Sequence, residues 1–207
     1  MLDKKIILIG YSGHAYVVAD TAIENQYNLI GFTENSIVKK NPFNLIFLGN
    51  ENENDFFNKN IDVNYLIGIG DNKIRERIYN LISVKNAEVI TLISPSSSIS
   101  KSATIGNGTF VNRNVTINAL VKIGKNVILN TSCVIEHECD ISDSVHIAPG
   151  AVLAGNVIVG TRSFIGANCV VKQGVKIGND VFVGAGTVVL KDIPDGKKIV
   201  GNPSRFI

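Results

Sequence analysis

Val121-Lys122-Ile123-Gly124-Lys125-Asn126-Val127-Ile128-Leu129-Asn130-Thr131-Ser132-Cys133-Val134-Ile135 is the stretch that decides the fold. Ile123, Leu129 and Ile135 stand six residues apart, and the spacing continues in both directions. Upstream it passes through Ile117, Val111 and Ile105 to Ile99. Downstream it passes through Ile141, Ile147, Leu153, Val159, Ile165, Val171, Ile177 and Val183 to Val189. Two residues before each of these lies a small or β-branched residue, among them Ala103, Thr109, Val127, Cys133, Cys139, Ser163, Cys169 and Thr187. Turn formers recur three residues after the aliphatic one: Gly108, Asn114, Asn126, Asn156, Asn168, Gly174, Asp180 and Gly186. A period of six suits no amphipathic helix, whose apolar face recurs at about 3.6. It suits short strands joined by tight turns that call for Gly or Asn, and a hexapeptide period marks a parallel β-helix. Three such units make one triangular coil, with each aliphatic side chain stacked on its equivalent in the next.

Before the repeat the pattern changes. Ile6–Ile9 is a short apolar run closed by Gly10, which reads as a buried strand. Gly10-Tyr11-Ser12-Gly13-His14 reads as a turn-rich loop, followed by a helix over about Ala15–Asn25 with Val17, Val18, Ala22 and Ile23 as its apolar side. Asn28–Phe32 reads as a second strand, so the chain opens β-loop-α-β, a crossover that calls for a parallel sheet. Tyr65–Ile69 is a further buried strand, closed by Gly70-Asp71-Asn72. A helix from Lys73 follows, with Ile74, Ile78, Leu81 and Ile82 on one face, and then a last strand, Val89–Ile93. Asn50–Asp55 is polar and reads as an exposed loop or helix start, and no strand is assigned at Leu45–Leu48. Ser94-Pro95-Ser96-Ser97-Ser98 reads as a seam. The expected division is an α/β, Rossmann-like domain over 1–93 and a β-helix over 94–207, with the tail from Pro194 leaving the register as a cap.

The 207 residues carry 20 Lys+Arg against 18 Asp+Glu, a balance that gives no electrostatic case for nucleic acid. Met1-Leu2-Asp3-Lys4-Lys5 leads into an apolar run too short for a signal peptide, and no long apolar stretch follows, so the expectation is a cytoplasmic protein with no membrane partner. Cys133, Cys139 and Cys169 all fall in the small inward series and read as core hydrophobes rather than nucleophiles or metal ligands.

The glycine-rich first loop lies between a strand and a helix N-terminus, a place that offers backbone N–H groups to phosphate. It is not G-x-G-x-x-G, so NAD is not expected, and an ordinary βα turn is an equal reading. The stronger chemical signal is Asn130, then Glu136-His137-Glu138, then His146; neither histidine is on the inward series. Acyl transfer to an amine needs a base to take a proton, and a histidine beside a carboxylate suits that task. It also needs a donor for the thioester oxyanion and substrates held in line.

These residues carry a resemblance. The β-helix is similar to the left-handed β-helix of the hexapeptide-repeat acyltransferases. The opening GxSGH before it resembles the bacterial nucleotide-amino-sugar N-acetyltransferases and their relatives that O-acetylate sialic acid, over essentially the whole chain. The resemblance implies acetyl-CoA as co-substrate, no metal, and a homotrimer with active sites between subunits. It implies that Ser12, Gly13 and His14 hold the phosphate and sugar end of a nucleotide-linked amino sugar and that Gly70 lies in the same site. Glu34 and Asn35 stand where family members carry an Asp-Asp pair near the nucleoside, which leaves uracil or thymine open. By the same resemblance His137 is the general base and Glu138 its partner, Asn130 and Glu136 lie near the amine-bearing sugar, and His146, Gly155, Ala167 and Ala185 contact coenzyme A. Gly201-Asn202-Pro203-Ser204-Arg205 resembles the family's ending near that ligand.

Two alternatives remain beside the N-acetyltransferase. Gly13-His14-Ala15-Tyr16-Val17-Val18-Ala19-Asp20 is shared with O-acetyltransferases of sialic acid or related sugars, and the Glu-His-Glu cluster favours the amine. A non-catalytic trimeric nucleotide-sugar scaffold is the other. A zinc-dependent β-helix is set aside because the repeat holds only two histidines.

Overall fold

A computed structural model describes residues 5–53, 56–60 and 62–207. The chain forms two compact units, Met1–Leu92 and Ile93–Ile207. Met1–Lys4, and Asn54–Asp55 of the polar stretch, lie outside the described residues.

The first unit is a parallel sheet with helical crossovers. Its elements are β1 (Lys5–Ile9), α1 (Gly13–Glu24), β2 (Asn28–Thr33), β3 (Ile46–Phe47), α2 (Phe56–Lys59), β4 (Val63–Ile67), α3 (Asn72–Val84) and β5 (Glu88–Val89). The strand order is β3-β2-β1-β4-β5, parallel throughout. β1 is central, and Ile6–Ile9 are buried, as a continuous apolar run requires. Ile7, Ile9, Tyr65, Ile67, Ile78 and Ile82 form the core with Phe56 and Phe57 of α2.

Several expectations shift. α1 begins at Gly13, so Gly13 and His14 are helical rather than loop, with Ser12 extended at the N-cap. Its buried face is Ala15, Val18, Ala19, Thr21 and Ala22, and Ile23 is exposed. Small residues face the sheet because the helix sits close to it: a Cβ built on Gly68 would overlap Ala15. α3 is capped by Asp71, whose Oδ1 accepts from Lys73 N–H and Ile74 N–H at 3.0 and 2.9 Å. This phase turns Ile74 outward and buries Arg75 with Ile78 and Ile82. β4 lies two residues earlier than Tyr65–Ile69, and a two-residue strand exists at Ile46–Phe47. The expected strand Val89–Ile93 divides into β5 and Leu92–Ile93, which opens the repeat.

The second unit is a left-handed parallel β-helix. Its three faces have six, five and eight strands, the last including a terminal hairpin. Pairing joins residues eighteen apart, as in Thr116↔Val134 and Ile117↔Ile135. The inward aliphatic series from Val111 to Val189 is buried in one continuous core, and Ile99 and Ile105 pack against its open end. Buried hydroxyls are satisfied between coils: Thr109 Oγ1 donates to Gly124 O at 2.9 Å and accepts from Val127 N–H at 3.1 Å.

From Gly108 to Gly186 each corner places one residue in the left-handed region. Asn114, Asn126, Asn156, Asn168 and Asp180 have φ between 53° and 57°, and Gly108, Gly150, Gly174 and Gly186 between 66° and 75°. The same conformation is adopted by Leu120, Ser132, Glu138, Ser144 and Arg162, where the turn formers lapse. Ser94–Ser98 is built into the first coil rather than acting as a tether: Ser94 is buried, and the N–H groups of Ser94 and Ser98 donate to Val111 O and Val115 O, each at 2.8 Å. The tail closes the eight-stranded face. Lys198–Val200 pairs in parallel with Phe182–Val183 and antiparallel with Arg205–Phe206. Among the described residues no helix is long and apolar enough to cross a membrane.

Because each coil rests on its two neighbours alone, a single interior truncation has no distant partner to absorb the gap. Leu129 is fully buried in the stack. Leu129→Ala is expected to destabilise the unit by about 2–5 kcal/mol, read as a lowered midpoint in urea with circular dichroism at the strand minimum.

Candidate active site

Two clusters form on neighbouring corners of the β-helix. The first lies where the chain turns after Val134–Ile135. His137 Nδ1 is 3.0 Å from Glu138 Oε2, and both side chains are about half exposed, at 51% and 58%. An ionised carboxylate only accepts, so Nδ1 carries the proton and Nε2 is left as the acceptor. Glu138 makes this contact from a left-handed backbone, φ 61°, at a corner that Gly or Asn would occupy more easily. Its N–H donates to Ala119 O at 3.0 Å, and His137 O accepts from Asn156 N–H at 2.8 Å. Glu136 is held from the coil before, through Asn118 Nδ2 at 2.9 Å. Gly155, one coil after His137, lies against the ring, and a Cβ there would overlap the imidazole. Gly155 thus belongs to the His137 cluster, apart from the other residues expected to hold the co-substrate.

The second cluster lies at the corner after Ile128–Leu129. Asn130 Nδ2 is 3.3 Å from His146 Nε2, and Asn112 Nδ2 donates to Asn130 Oδ1 at 3.0 Å. His146 is 8% exposed, its ring edge-on to Phe164 at 5.0 Å, and Phe164 stacks on Phe182. Ala167 and Ala185 follow at the same corner in later coils. In the early coils the side chains of Asn112 and Asn130 cap the next N–H, of Arg113 at 2.7 Å and of Thr131 at 2.9 Å. Gly166 and Gly184 precede the two alanines and have no side chain to do so. No acceptor for the alanine N–H groups is found among the described residues. A Cβ on Gly166 would come within 2.6 Å of Ala185 N. A long ligand can lie along this corner and reach backbone donors, which fits coenzyme A.

The cysteines fit the core role. All three are buried, burial pushes the Cys133 thiol up to about 12, and Cys139 and Cys169 donate to Ala154 O and Gly184 O. No cluster of three His, Cys, Asp or Glu suited to a metal occurs among the described residues.

In the first unit the expected residues gather at the carboxyl end of the sheet. β1 connects to β2 on one side and lies beside β4 on the other, so the crevice there is a topological switch point, where open α/β sheets take ligands. Gly10 N–H donates to Thr33 O at 3.1 Å and Gly68 N–H to Ile9 O at 2.8 Å, which binds the three strand ends together. Ser12 is exposed, and its hydroxyl caps no N–H of α1. A Cβ on Gly13 or Gly70 would meet nothing within 4 Å, so the crevice is open beside both. Glu34 makes bonds within the chain at this end of the sheet. Its two oxygens accept from Tyr11 N–H at 3.2 Å and Asn35 N–H at 3.0 Å, tying the first loop to the end of β2. Asn35 Oδ1 accepts from Asn50 Nδ2 at 2.9 Å.

Tyr11 and Arg75 were not read from the sequence. Tyr11 stacks on Phe32 at 3.9 Å and donates to Asn41 Oδ1 at 2.7 Å, which fixes the loop from beneath. Arg75 donates to Gly70 O at 3.1 Å and Asn72 Oδ1 at 2.9 Å, shaping the turn after β4. Burial pulls its guanidinium down to about 9, against the pull of Asp71 and Glu76, so it is charged at neutral pH. His14 is lowered from 6.5 to about 4, first by burial and then by the Arg75 charge. The unfolded chain therefore binds a proton that the folded one refuses, and this contribution to stability falls as pH drops from about 6.5 toward 4. In a histidine NMR titration the His14 ring is expected to stay neutral at pH 6 and protonate near pH 4; a midpoint at the ordinary 6.5 would contradict the burial.

Residues 5–82 match the PglD N-terminal domain, residues 138–173 the bacterial transferase hexapeptide (six repeats), and residues 156–191 the hexapeptide repeat of succinyl-transferase. The chain is 35% identical over 144 residues to GDP-perosamine N-acetyltransferase of Escherichia coli O157:H7, covering 67% of this chain. It is 42% identical over 50 residues to UDP-N-acetylbacillosamine N-acetyltransferase of Bacillus subtilis (strain 168), covering 24% of this chain. The alignments span less than two thirds of these relatives, 65% and 23%. Among solved structures it is similar to the acetyltransferase domain of PglB from Neisseria gonorrhoeae FA1090 in complex with acetyl coenzyme A. The TM-score is 0.92 and the identity 31%, over 99% of each chain. The chain belongs to the hexapeptide-repeat acyltransferases that open with a PglD N-terminal domain, the family of the nucleotide-amino-sugar N-acetyltransferases.

Proposed function

We propose that this protein transfers the acetyl group of acetyl-CoA to the amino group of a nucleotide-linked amino-dideoxy-sugar, in the making of bacterial surface glycans or glycoprotein sugars. The observation that carries the reading is the exposed His137–Glu138 pair, a ring of fixed tautomer with Nε2 available, laid against a glycine. The co-substrate supplies an acetyl group activated as a thioester. The sugar amine forms the new C–N bond as the C–S bond breaks; its proton passes to His137 Nε2, and coenzyme A leaves with the sulfur electron pair. Glu138 holds the ring and sits beside the positive charge it gains. Asn130 and Glu136 face the sugar, and His146, Ala167 and Ala185 hold the thioester ligand.

The nucleotide is read as UDP or dTDP, held at the carboxyl end of the first unit's sheet by Ser12, Gly13, His14 and Gly70. A GDP-linked sugar is the second reading, because the Escherichia coli relative is named for GDP-perosamine. A homotrimer in the cytoplasm completes the proposal. The Asn130–His146 and His137–Glu138 clusters stand on different corners of one coil, and an assembly that sets one chain's corner against its neighbour's can join them in a single site. A stable, fully active monomer by light scattering would remove the basis for that shared site.

The test is acetyl-CoA turnover against a panel of UDP-, dTDP- and GDP-linked amino sugars, with His137→Ala beside the wild type. The variant is expected to lose roughly 10²–10⁴ in kcat, the usual worth of a positioned base, with little change in coenzyme A or sugar-nucleotide affinity by calorimetry. Near-normal turnover by His137→Ala would sink the mechanism.

A further inference from the structure

The direction of a side-chain amide and the tautomer of an imidazole are settled wherever a neighbour can play one role only. Two such neighbours anchor the corner at Asn130. Arg113 N–H can only donate, and it lies 2.7 Å from Asn112, so the atom it meets is Oδ1. Thr131 N–H can only donate, and it lies 2.9 Å from Asn130, so that atom too is Oδ1. Asn112 therefore presents Nδ2 to the next coil, donating to Asn130 Oδ1 at 3.0 Å and Thr131 Oγ1 at 2.8 Å. Asn130 in turn presents Nδ2 to His146 Nε2 at 3.3 Å. An amide NH2 has no lone pair to offer, so Nε2 accepts, and the neutral ring carries its proton on Nδ1. Asn112 is 1% exposed, a depth at which a carboxamide is costly unless bonded as this one is.

We propose that Asn112 is a positioning residue that sets the Nδ1–H tautomer of His146 through Asn130, so that proton acceptance falls to His137. The two histidines of the β-helix then share a tautomer and differ in use. His137 has Nδ1 bonded to a carboxylate and Nε2 as its open acceptor, whereas His146 has Nε2 engaged by an amide. Residues that act through a hydrogen-bond partner fix ligand geometry in this way without touching the ligand. The catalytic consequence rests on the acetyl-transfer reading; the tautomer does not.

The tautomer is read directly by long-range ¹H–¹⁵N correlation on ¹⁵N-histidine-labelled protein, the His146 signals being assigned by their loss in His146→Gln. The wild type should show a pyridine-type Nε2 and a pyrrole-type Nδ1, and a pyrrole-type Nε2 would overturn the proposal even if no variant folds. In Asn112→Asp the buried carboxylate can only accept. It draws Asn130 Nδ2 away, so the His146 population should move toward Nε2–H. Turnover should fall roughly five- to tenfold, the scale of one net hydrogen bond. An Asn112→Asp spectrum identical to wild type, or lost turnover without a tautomer change, would overturn the role of Asn112. Absence of turnover on every sugar in the wild type would instead count against the acetyl-transfer reading, and the spectra would still decide the tautomer.

Discussion

Beyond its first coil, every corner of the β-helix reverses the chain within a few residues by placing one residue in the left-handed region. That requirement recurs every sixth residue, from Gly108 to Gly186. It fixes which residues face inward, because the inward aliphatic position always lies three before the corner. It also sets a cost, since an L-residue other than Gly or Asn is disfavoured there by roughly 1–2 kcal/mol. The stacked core of Val111 to Val189 repays that cost along the axis. Where the corner carries Glu138 instead of Asn, the strain accompanies the contact with His137. Such an outlier is the kind of place where function is held.

The corners also explain why the site is built from columns rather than from neighbours in sequence. Residues eighteen apart lie one above another, so Gly155 meets His137, Asn112 meets Asn130, and Asn118 meets Glu136. Along one corner the side-chain caps of the early coils give way to Gly166 and Gly184, and the backbone N–H groups of Ala167 and Ala185 become donors with no acceptor among the described residues. A ladder that is closed at one end by Asn and open at the other by Gly is polar where a substrate head would sit and smooth where a long ligand would lie.

The first unit solves a different problem, that of holding an open crevice at the end of a sheet. Tyr11 packed on Phe32, Glu34 on two backbone N–H groups, and Arg75 under the turn at Gly70 fix the three loops. Burial of the His14 ring, and after it the charge of Arg75, keeps that ring neutral and able to act as a donor or acceptor rather than a cation. These are ties between loops, and they leave Ser12, Gly13 and Gly70 facing open space.

By itself the sequence determined the repeat, its inward series, the turn positions marked by Gly and Asn, and the β-loop-α-β opening. Each of these is a local pattern whose period equals the period of the structure. It also marked Asn130, Glu136, His137, Glu138 and His146 as a group, since they gather histidine, carboxylate and amide at positions off the unbroken apolar series. Only the tertiary structure decided the rest. Which way α1 and α3 rotate, with Ile23 and Ile74 outside and Arg75 inside, depends on how closely each helix approaches the sheet. That Glu34 is a tie, that Gly155 backs His137, and that Asn112 stands behind Asn130 depend on contacts between residues eighteen or more apart. No window of local periodicity spans that distance, because the Glu34 contact exists only once β1 and β2 have paired, and the other two only once a coil has closed upon the one before it.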